Sequence, residues 1–238
     1  MDETFRIWVE KGFNLFYLIV ISCIVTAMVL RFSLVEQKDK GAAFYVMLAF
    51  FFLVLGDLGH VGARVVAFAM GGLDAQLTIF GRSIMIAPVG SIMTAWTFTL
   101  FYVCMVLMWK ARFNKKLEAV AYIVFLLAII RSILMILPGN TWDGEHQDDF
   151  SFMIRNIPLV LMQVGTVYLI LRDAIAEKDS LFKRIGALII ISFVCYMPVV
   201  FLLTYYPLIG MLMIPKTIAY MVIAFISLRG LFSKKIIT

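Results

Sequence analysis

The sequence has very little charge for its length. Only 15% of its 238 residues are Asp, Glu, Lys or Arg, whereas 63% are hydrophobic. A folded domain surrounded by water needs a larger polar fraction than this to cover its surface. The shortage of charge therefore excludes a soluble domain and predicts an integral membrane protein, in agreement with a mean hydropathy of +0.99.

Cysteine and histidine are also scarce. The three cysteines, Cys23, Cys104 and Cys195, lie far apart in apolar runs without metal-ligand spacing, so we expect them to pack as small apolar side chains. The two histidines, His60 and His146, are too few for a zinc site of the usual three or four ligands. The GxSxG signature of a hydrolase nucleophile does not occur either. No metal site is predicted.

Long apolar runs are abundant, and they lack the alternation of polar and apolar residues that is typical of a membrane β-barrel. At about 20 residues per span, they predict an all-α bundle of seven transmembrane helices, as one domain over residues 1–238. The connections are short, so neighbours in sequence should pack as antiparallel neighbours in space. The predicted spans are approximately 13–31, 42–70, 83–109, 118–137, 152–171, 185–204 and 207–228.

The distribution of lysine and arginine predicts the orientation of the bundle. Most of these residues lie in the connections after the first, third and fifth spans and in the C-terminal tail, whereas only Arg6, Lys11 and Arg82 lie on the other side. Short cytoplasmic loops carry such an excess of positive charge. We therefore expect the N-terminus outside the cell, the C-terminus in the cytoplasm, and the protein in the plasma membrane. The net charge of +6 then reflects topology and not nucleic-acid binding.

The second predicted span carries three ionisable residues on one face. Asp57, His60 and Arg64 are spaced i, i+3 and i+7, which places them within an arc of about 60° on a helix. Ionisable groups at this depth usually face the interior of a bundle or a wet cavity and are functional candidates. Nearby Gly56, Gly59 and Gly62 predict that another helix approaches closely. In the alternative interpretation, Asp57 and Arg64 only neutralise each other.

Further polar residues share the predicted depth on other spans. Asn156 and Gln163 lie seven residues apart, which puts them on one helix face. For Arg82, Arg131 and Arg155, the alternative is that the side chain extends to the interface, and the same alternative applies to Lys216. The remaining candidates are the cations Arg82, Arg131, Arg155 and Lys216, the amides Asn156 and Gln163, the hydroxyls Ser91 and Thr94, and Tyr220.

These residues together predict an outward-facing, basic, water-accessible cavity. We expect Arg64, Arg131, Arg155 and Lys216 to line it, with Asp57 and His60 at its floor and the acidic loop 138–150 near its mouth. Such a cavity favours a small anion or an anionic lipid headgroup, because a guanidinium group binds phosphate or carboxylate with two hydrogen bonds. The predicted function is sensing or transport. A sensor would need a separate signalling partner, and a homo-oligomer is the other partner arrangement that we consider.

An enzymatic alternative remains open. Asp57 and His60 could act as acid and base on a lipid headgroup within the membrane. Turnover of a lipid that depends on both residues would distinguish this alternative from binding alone.

Four stretches of the sequence carry a resemblance to known proteins: GDLGHVGARV at 56–65, RSILMILPGNTW at 131–142, RNIPLVL at 155–161 and LIGMLMIPKTIAY at 208–220. They resemble the shared signatures of an uncharacterised family of seven-span bacterial membrane proteins. The resemblance covers nearly the whole chain and implies an architecture but no activity. In that family a proline usually precedes the arginine of the helix-2 signature, where this chain has Ala63, so a weaker kink is expected.

A more distant likeness is to microbial rhodopsins, which hold retinal as a Schiff base on a lysine of the last helix. CYMPVVFLL at 195–203 followed by Lys216 is similar to their last two helices. Those proteins place carboxylates on helices 3 and 7 as counterions of the Schiff base. This chain has no carboxylate on span 3, and the residue one turn before Lys216 is Leu212. Retinal at Lys216 therefore remains an alternative that requires Asp57 as the counterion.

Overall fold

The structure is a computed structural model that describes residues 3–72, 74–79, 82–137, 149–203 and 205–233. It contains seven helices that are long and apolar enough to cross a membrane, which confirms the predicted seven-helix bundle and its contact with lipid. The orientation of the termini and the identity of the membrane remain predictions. The helices are α1 Glu3–Arg31, α2 Lys40–Ala69, α3 Ile86–Arg112, α4 Ala119–Ile136, α5 Asp149–Ala176, α6 Ser180–Leu202 and α7 Met213–Leu231.

Several helices extend beyond the predicted spans. Helix α1 begins at Glu3 and α5 ends at Ala176, because a helix continues into the polar flanks of an apolar run as long as its backbone hydrogen bonds continue. Helix α7 is shorter than its span, since Pro207–Leu212 form a 3-10 helix before it. We call the end of the bundle at which α1 begins the N-terminal end.

A short hairpin joins α2 to α3, where the sequence predicted a connection followed, from residue 83, by the third span; helix α3 begins only at Ile86. Strands β1, Gln76–Ile79, and β2, Arg82–Met85, pair antiparallel with Gln76 opposite Met85. Gly71 and Gly72 precede the hairpin with φ angles of 113° and 147°, a conformation that favours glycine. Strands of four residues are too short to give a clear alternation in the sequence.

Helices α2 and α3 pack closely through glycine. A Cβ atom at Gly56 would lie 2.0 Å from Thr97 Oγ1, and one at Gly59 would lie 2.3 Å from Met93 Sδ. Thr94 also donates a hydrogen bond from Oγ1 to the Gly56 carbonyl at 2.8 Å. The predicted close approach is thus confirmed at Gly56 and Gly59. A Cβ atom added at Gly62 would instead meet no described atom within 4 Å.

An aromatic core lies beside the polar groups of the bundle. The Phe98 ring packs edge-on against Tyr102 and Tyr220, with centroid distances of 5.4 and 5.6 Å. Phe101 contacts the same two tyrosines at 5.2 and 5.3 Å. Helix α3 therefore contacts α7 through aromatic side chains, and these rings fix the positions of two buried tyrosine hydroxyls.

An ionic network ties the helices together at the opposite, C-terminal end. Arg112 on α3 pairs with Asp39, just before α2, and with Asp179, whose Oδ2 lies 2.8 Å from Arg112 Nη2. Asp179 also caps α6 by accepting hydrogen bonds from two backbone amides. Nearby, Trp109 Nε1 donates to Asp173 Oδ2 at 2.7 Å.

Candidate functional site

A cavity of about 560 Å³ lies between α1, α2, α3 and the beginning of α7. We call it the N-terminal cavity. Phe13, Leu18, Met213 and Ile214 give it apolar walls, and its volume is within the range of small-molecule sites. Its polar lining consists of Asn14, Tyr17, Asp57, His60, Ser91, Thr94 and Thr217.

Asp57 is the carboxylate of this cavity. Its Oδ2 atom accepts a hydrogen bond from the Tyr17 hydroxyl at 2.8 Å. Tyr17 is its only hydrogen-bond donor among the residues that the structure describes. The Asp57 charge also lies within electrostatic range of Lys216 on α7. The carboxylate therefore has one neutral hydrogen-bond donor and no ion pair with a described residue.

His60 lies one turn from Asp57 and also lines the cavity. Within the described part of the chain, its Nδ1 atom is buried without a hydrogen-bond partner. Among the described residues no hydrogen bond joins His60 to Asp57, and the enzymatic alternative, in which these two residues act as acid and base, stays a prediction. The imidazole lies within electrostatic range of Arg64, which is exposed, makes no ion pair with a described residue and does not line the cavity.

Lys216 is buried with only 8% of its surface exposed. Its Nζ atom lies 3.9 Å from the centroid of the Tyr196 ring and 4.7 Å from that of Phe98. No described carboxylate lies within ion-pair distance of Nζ, although the charge of Asp57 acts on it. The adjacent residue Thr217 lines the N-terminal cavity. Lys216 thus lies at the border between the cavity and the interior of the bundle.

Arg131 on α4 is buried, with 3% of its surface exposed, and does not extend to the interface. Its Nη1 atom donates to the Ala95 carbonyl at 2.8 Å and to Thr99 Oγ1 at 2.5 Å. Its Nε atom donates to the Arg155 carbonyl at 3.2 Å. These bonds join α4 to α3 and α5. They satisfy donors of the guanidinium group, but no described carboxylate neutralises its charge.

Arg155 and Asn156 lie next to Arg131 at the start of α5. Both are buried, and the Arg155 guanidinium packs over the Phe152 ring at 5.3 Å. Asn156 Nδ2 donates to the Phe152 carbonyl at 2.9 Å, and its Oδ1 accepts from the Tyr196 hydroxyl at 3.1 Å. Tyr196 therefore contacts the amide with its hydroxyl and Lys216 with its ring.

Gln163 is fully buried two turns further along α5. Its two amide atoms have no hydrogen bond of good geometry with any described residue, although the Tyr102 hydroxyl lies beside the amide. The Tyr102 and Tyr220 hydroxyls are hydrogen-bonded to each other at 2.5 Å. Ser192 Oγ, beside Tyr220, is likewise buried without a hydrogen-bond partner among the described residues. Buried polar atoms of this kind usually bind water or a ligand.

The structure thus separates the predicted site residues into two groups. Asp57 and His60 line the N-terminal cavity, and Arg64 belongs to neither group. The expected arrangement, with four cations around one cavity, is not the observed one, because Arg131 donates to carbonyls inside the bundle and Arg64 is exposed. The second group, which we call the polar cluster, comprises Tyr102, Arg131, Arg155, Asn156, Gln163, Tyr196, Lys216 and Tyr220.

Three tyrosines of this arrangement were not predicted from the sequence. All three lie within predicted spans. Tyr102 and Tyr196 are about two turns from the nearest predicted end, deeper than the interfaces at which membrane tyrosines usually lie, whereas Tyr17 is about one turn from it. A buried tyrosine hydroxyl needs a hydrogen-bond partner, so a tyrosine in the middle of a span is a usable signal of interior polarity.

Some predicted features lie partly outside the described residues. The described residues do not include positions 138–148, which make up most of the acidic loop and contain His146. The side chain of Arg82 is not described either. No group of three potential metal ligands occurs within the described ranges. Retinal at Lys216 remains a prediction, for which Asp57 is the candidate counterion because it is the described carboxylate whose charge acts on Lys216.

Comparison of the chain with models of known families, with curated proteins and with solved structures finds no match.

Proposed function

We propose that this multi-pass membrane protein binds a small anion at Lys216, reached through the N-terminal cavity, and uses the binding for sensing or transport. The observation that supports this proposal is the surplus of positive charge inside the bundle. Arg131 and Lys216 are both buried, and no described carboxylate lies within ion-pair distance of either. Asp57 is the single described carboxylate that acts on Lys216 from a distance.

The energetics favour a further negative charge near these cations. Removing an ammonium group from water costs several kcal/mol even after the protein relaxes. A contact with one aromatic ring returns about 2 kcal/mol or more when the cation is desolvated. The rings of Tyr196 and Phe98 therefore offset part of the cost of burying the Lys216 charge, but they carry no negative charge that neutralises it. An anion in contact with Nζ offsets more of this cost.

The chemistry of the site favours an oxyanion. Hydroxyl and amide groups of the polar cluster donate hydrogen bonds, and the cations provide charge-assisted ones, which are the contacts that phosphate and carboxylate groups need. A free solute and a lipid headgroup share this chemistry. The apolar walls of the cavity suit the carbon chain of either ligand.

Binding to the purified protein tests the proposal. We expect inorganic phosphate or acetate to bind to the wild-type protein, as measured by isothermal titration calorimetry in neutral detergent. Lys216→Met should weaken binding by more than about tenfold, because losing a buried charge partner costs about 2 kcal/mol or more. Lys38→Met is the matched control, since Lys38 lies on an exposed connection and pairs with Glu36.

Two further measurements distinguish the sources of the anion and the two uses of binding. If the ligand is a lipid headgroup, phosphatidylglycerol in nanodiscs should displace phosphate, whereas phosphatidylcholine should not. If the protein transports the anion, sealed vesicles that contain it should take up labelled phosphate. Binding without uptake supports sensing. If neither phosphate, acetate nor phosphatidylglycerol binds, the proposal is wrong.

A further inference from the structure

We propose that a groove between α3 and α4, which we call the α3–α4 groove, binds one acyl chain of a membrane lipid. This inference goes beyond the proposed anion site and does not depend on it. None of the residues that line the groove belongs to the N-terminal cavity or to the polar cluster.

Two apolar helix faces form the walls of the groove, which has a volume of about 510 Å³. On α4 the wall includes Ile129, Ile133 and Ile136, whose spacing of four and three residues places them on one helix face. On α3 it includes Trp96 and Leu100, which lie one turn apart. All five side chains are exposed. Because α3 and α4 belong to the membrane-spanning bundle, these exposed faces contact the hydrocarbon of the bilayer.

The hydroxyl groups in the groove are already paired within the protein. Thr99 Oγ1 donates to the Ala95 carbonyl at 2.8 Å and accepts a hydrogen bond from Arg131. Ser132 Oγ donates to the Ala128 carbonyl at 2.8 Å. No charged residue is among the described residues that line the groove. A hydrocarbon chain therefore fills the groove without leaving a hydroxyl unpaired, whereas an ionic ligand gains no charge partner there.

The dimensions of the groove match one hydrocarbon chain. Its α4 wall runs from Phe125 to Ile136, which are eleven residues apart and therefore about 16 Å apart along the helix. One leaflet contributes a similar length, about half of the hydrocarbon core of roughly 30 Å. Division of the volume by this length gives a cross-section of about 30 Å², whereas a helix with its side chains is about 10 Å wide and needs about 80 Å². The groove thus accommodates a chain of methylene groups but not a helix of a second copy of the protein.

The direction of α4 indicates which leaflet supplies the lipid. Neighbouring helices of the bundle run antiparallel, so α4 ends at the N-terminal end. Ile136, the last residue of α4, lines the groove. The acyl chain therefore comes from the leaflet at the N-terminal end, where its headgroup also lies.

The fluorescence of Trp96 provides the test, because bromine atoms on an acyl chain quench a tryptophan that the chain contacts. Titration of the purified protein in neutral detergent with phosphatidylcholine that carries brominated acyl chains measures this quenching. We expect the quenching to saturate at one lipid per protein and to be reversed by phosphatidylcholine without bromine. The difference between the wild-type protein and Trp96→Phe isolates the signal of Trp96 from that of the other tryptophans among the four in the chain.

Larger side chains from either wall should block the groove. Ser132→Phe adds a ring from α4, and Val103→Phe adds one from α3. Each substitution should weaken binding of the brominated lipid by more than about tenfold, because the ring takes the space of the acyl chain. Since the two variants alter different helices, one of them still tests the inference if the other does not fold. Ile130→Phe is the matched control and should bind the lipid like the wild type, because Ile130 is exposed on α4 and does not line the groove.

Three outcomes overturn the inference. The first is quenching of Trp96 that rises in proportion to the lipid without saturation, since it reports only the exchanging lipid around the protein. The second is saturable quenching that the folded Ser132→Phe and Val103→Phe variants retain unchanged. The third is the absence of saturable quenching in a wild-type protein that sediments as a dimer while Ser132→Phe sediments as a monomer, which assigns the groove to a second copy of the chain. The phosphate titrations test the proposed function separately, because phosphate carries no acyl chain.

Discussion

The Asp57 carboxylate on α2 accepts a hydrogen bond from the Tyr17 hydroxyl on α1 at 2.8 Å, and both side chains line the N-terminal cavity. A hydrogen bond to a charged group stabilises that group by about 1.5–3 kcal/mol. Tyr17 therefore stabilises the ionised form of Asp57, and we expect the negative charge of that carboxylate to disfavour an anion bound at Lys216.

Substitution of Tyr17 tests this effect of the Asp57 charge. In Tyr17→Phe the carboxylate loses its donor, so it accepts a proton more readily, and the affinity for phosphate at neutral pH should increase by about tenfold. Calorimetric titration measures the change. Tyr122→Phe is the matched control, because Tyr122 is exposed on α4. An affinity that is unchanged or reduced in Tyr17→Phe contradicts this effect of the Asp57 charge.

The glycine contacts between α2 and α3 give a prediction about stability. Gly56→Ala should destabilise the protein by about 1–3 kcal/mol, because its Cβ meets both the Thr97 side chain and the Thr94 backbone. Thermal unfolding in detergent measures this effect. Gly62→Ala lies on the same helix without a described neighbour at its Cβ, and it should leave the melting temperature unchanged or raise it. Equal effects of the two substitutions would contradict the described packing.

Arg112 gives a prediction about the opposite end of the bundle. Arg112→Met removes ion pairs with Asp39 and Asp179 and should lower the free energy of unfolding by about 2 kcal/mol. Its effect should shrink in an Asp39→Asn background, since the two residues share one contact. The exposed Lys178 supplies the control substitution Lys178→Met. Full additivity of Arg112→Met and Asp39→Asn would show that this contact contributes nothing.

The retinal alternative has a direct spectroscopic test. Addition of all-trans-retinal to the purified protein should give no absorbance band in the visible region, because anion binding requires Lys216 to remain a free ammonium. Spectra before and after addition measure this outcome. A visible band that Lys216→Met abolishes would instead establish Schiff-base formation and favour the rhodopsin-like alternative.

The sequence predicted the depth of the polar residues better than their partners. Hydropathy located seven spans, and helical spacing put Asp57 and His60 on a common face that does line a cavity. Spacing does not determine the rotation of one helix against another, which depends on side-chain packing. The carbonyl acceptors of Arg131 and the ring contacts of Lys216 were therefore not predictable.

The glycines of α2 show the same limit within a single motif. The sequence gives no reason to distinguish Gly56, Gly59 and Gly62. In the structure only the first two lie close to described atoms of α3. The difference depends on where α3 crosses α2, which involves residues about forty positions away. The spacing of glycines along one helix does not determine where a second helix crosses it.

The position of a bound anion tests the central claim most directly. Crystals of the wild-type protein grown with sodium arsenate, an analogue of phosphate, allow an anomalous difference map to locate arsenic. We predict an arsenic peak between the N-terminal cavity and Tyr196, within ion-pair distance of Lys216 Nζ, and no such peak in crystals of Lys216→Met. Arsenic bound only at exposed cations such as Arg64, or a peak near residue 216 that persists in Lys216→Met, would contradict anion binding at Lys216.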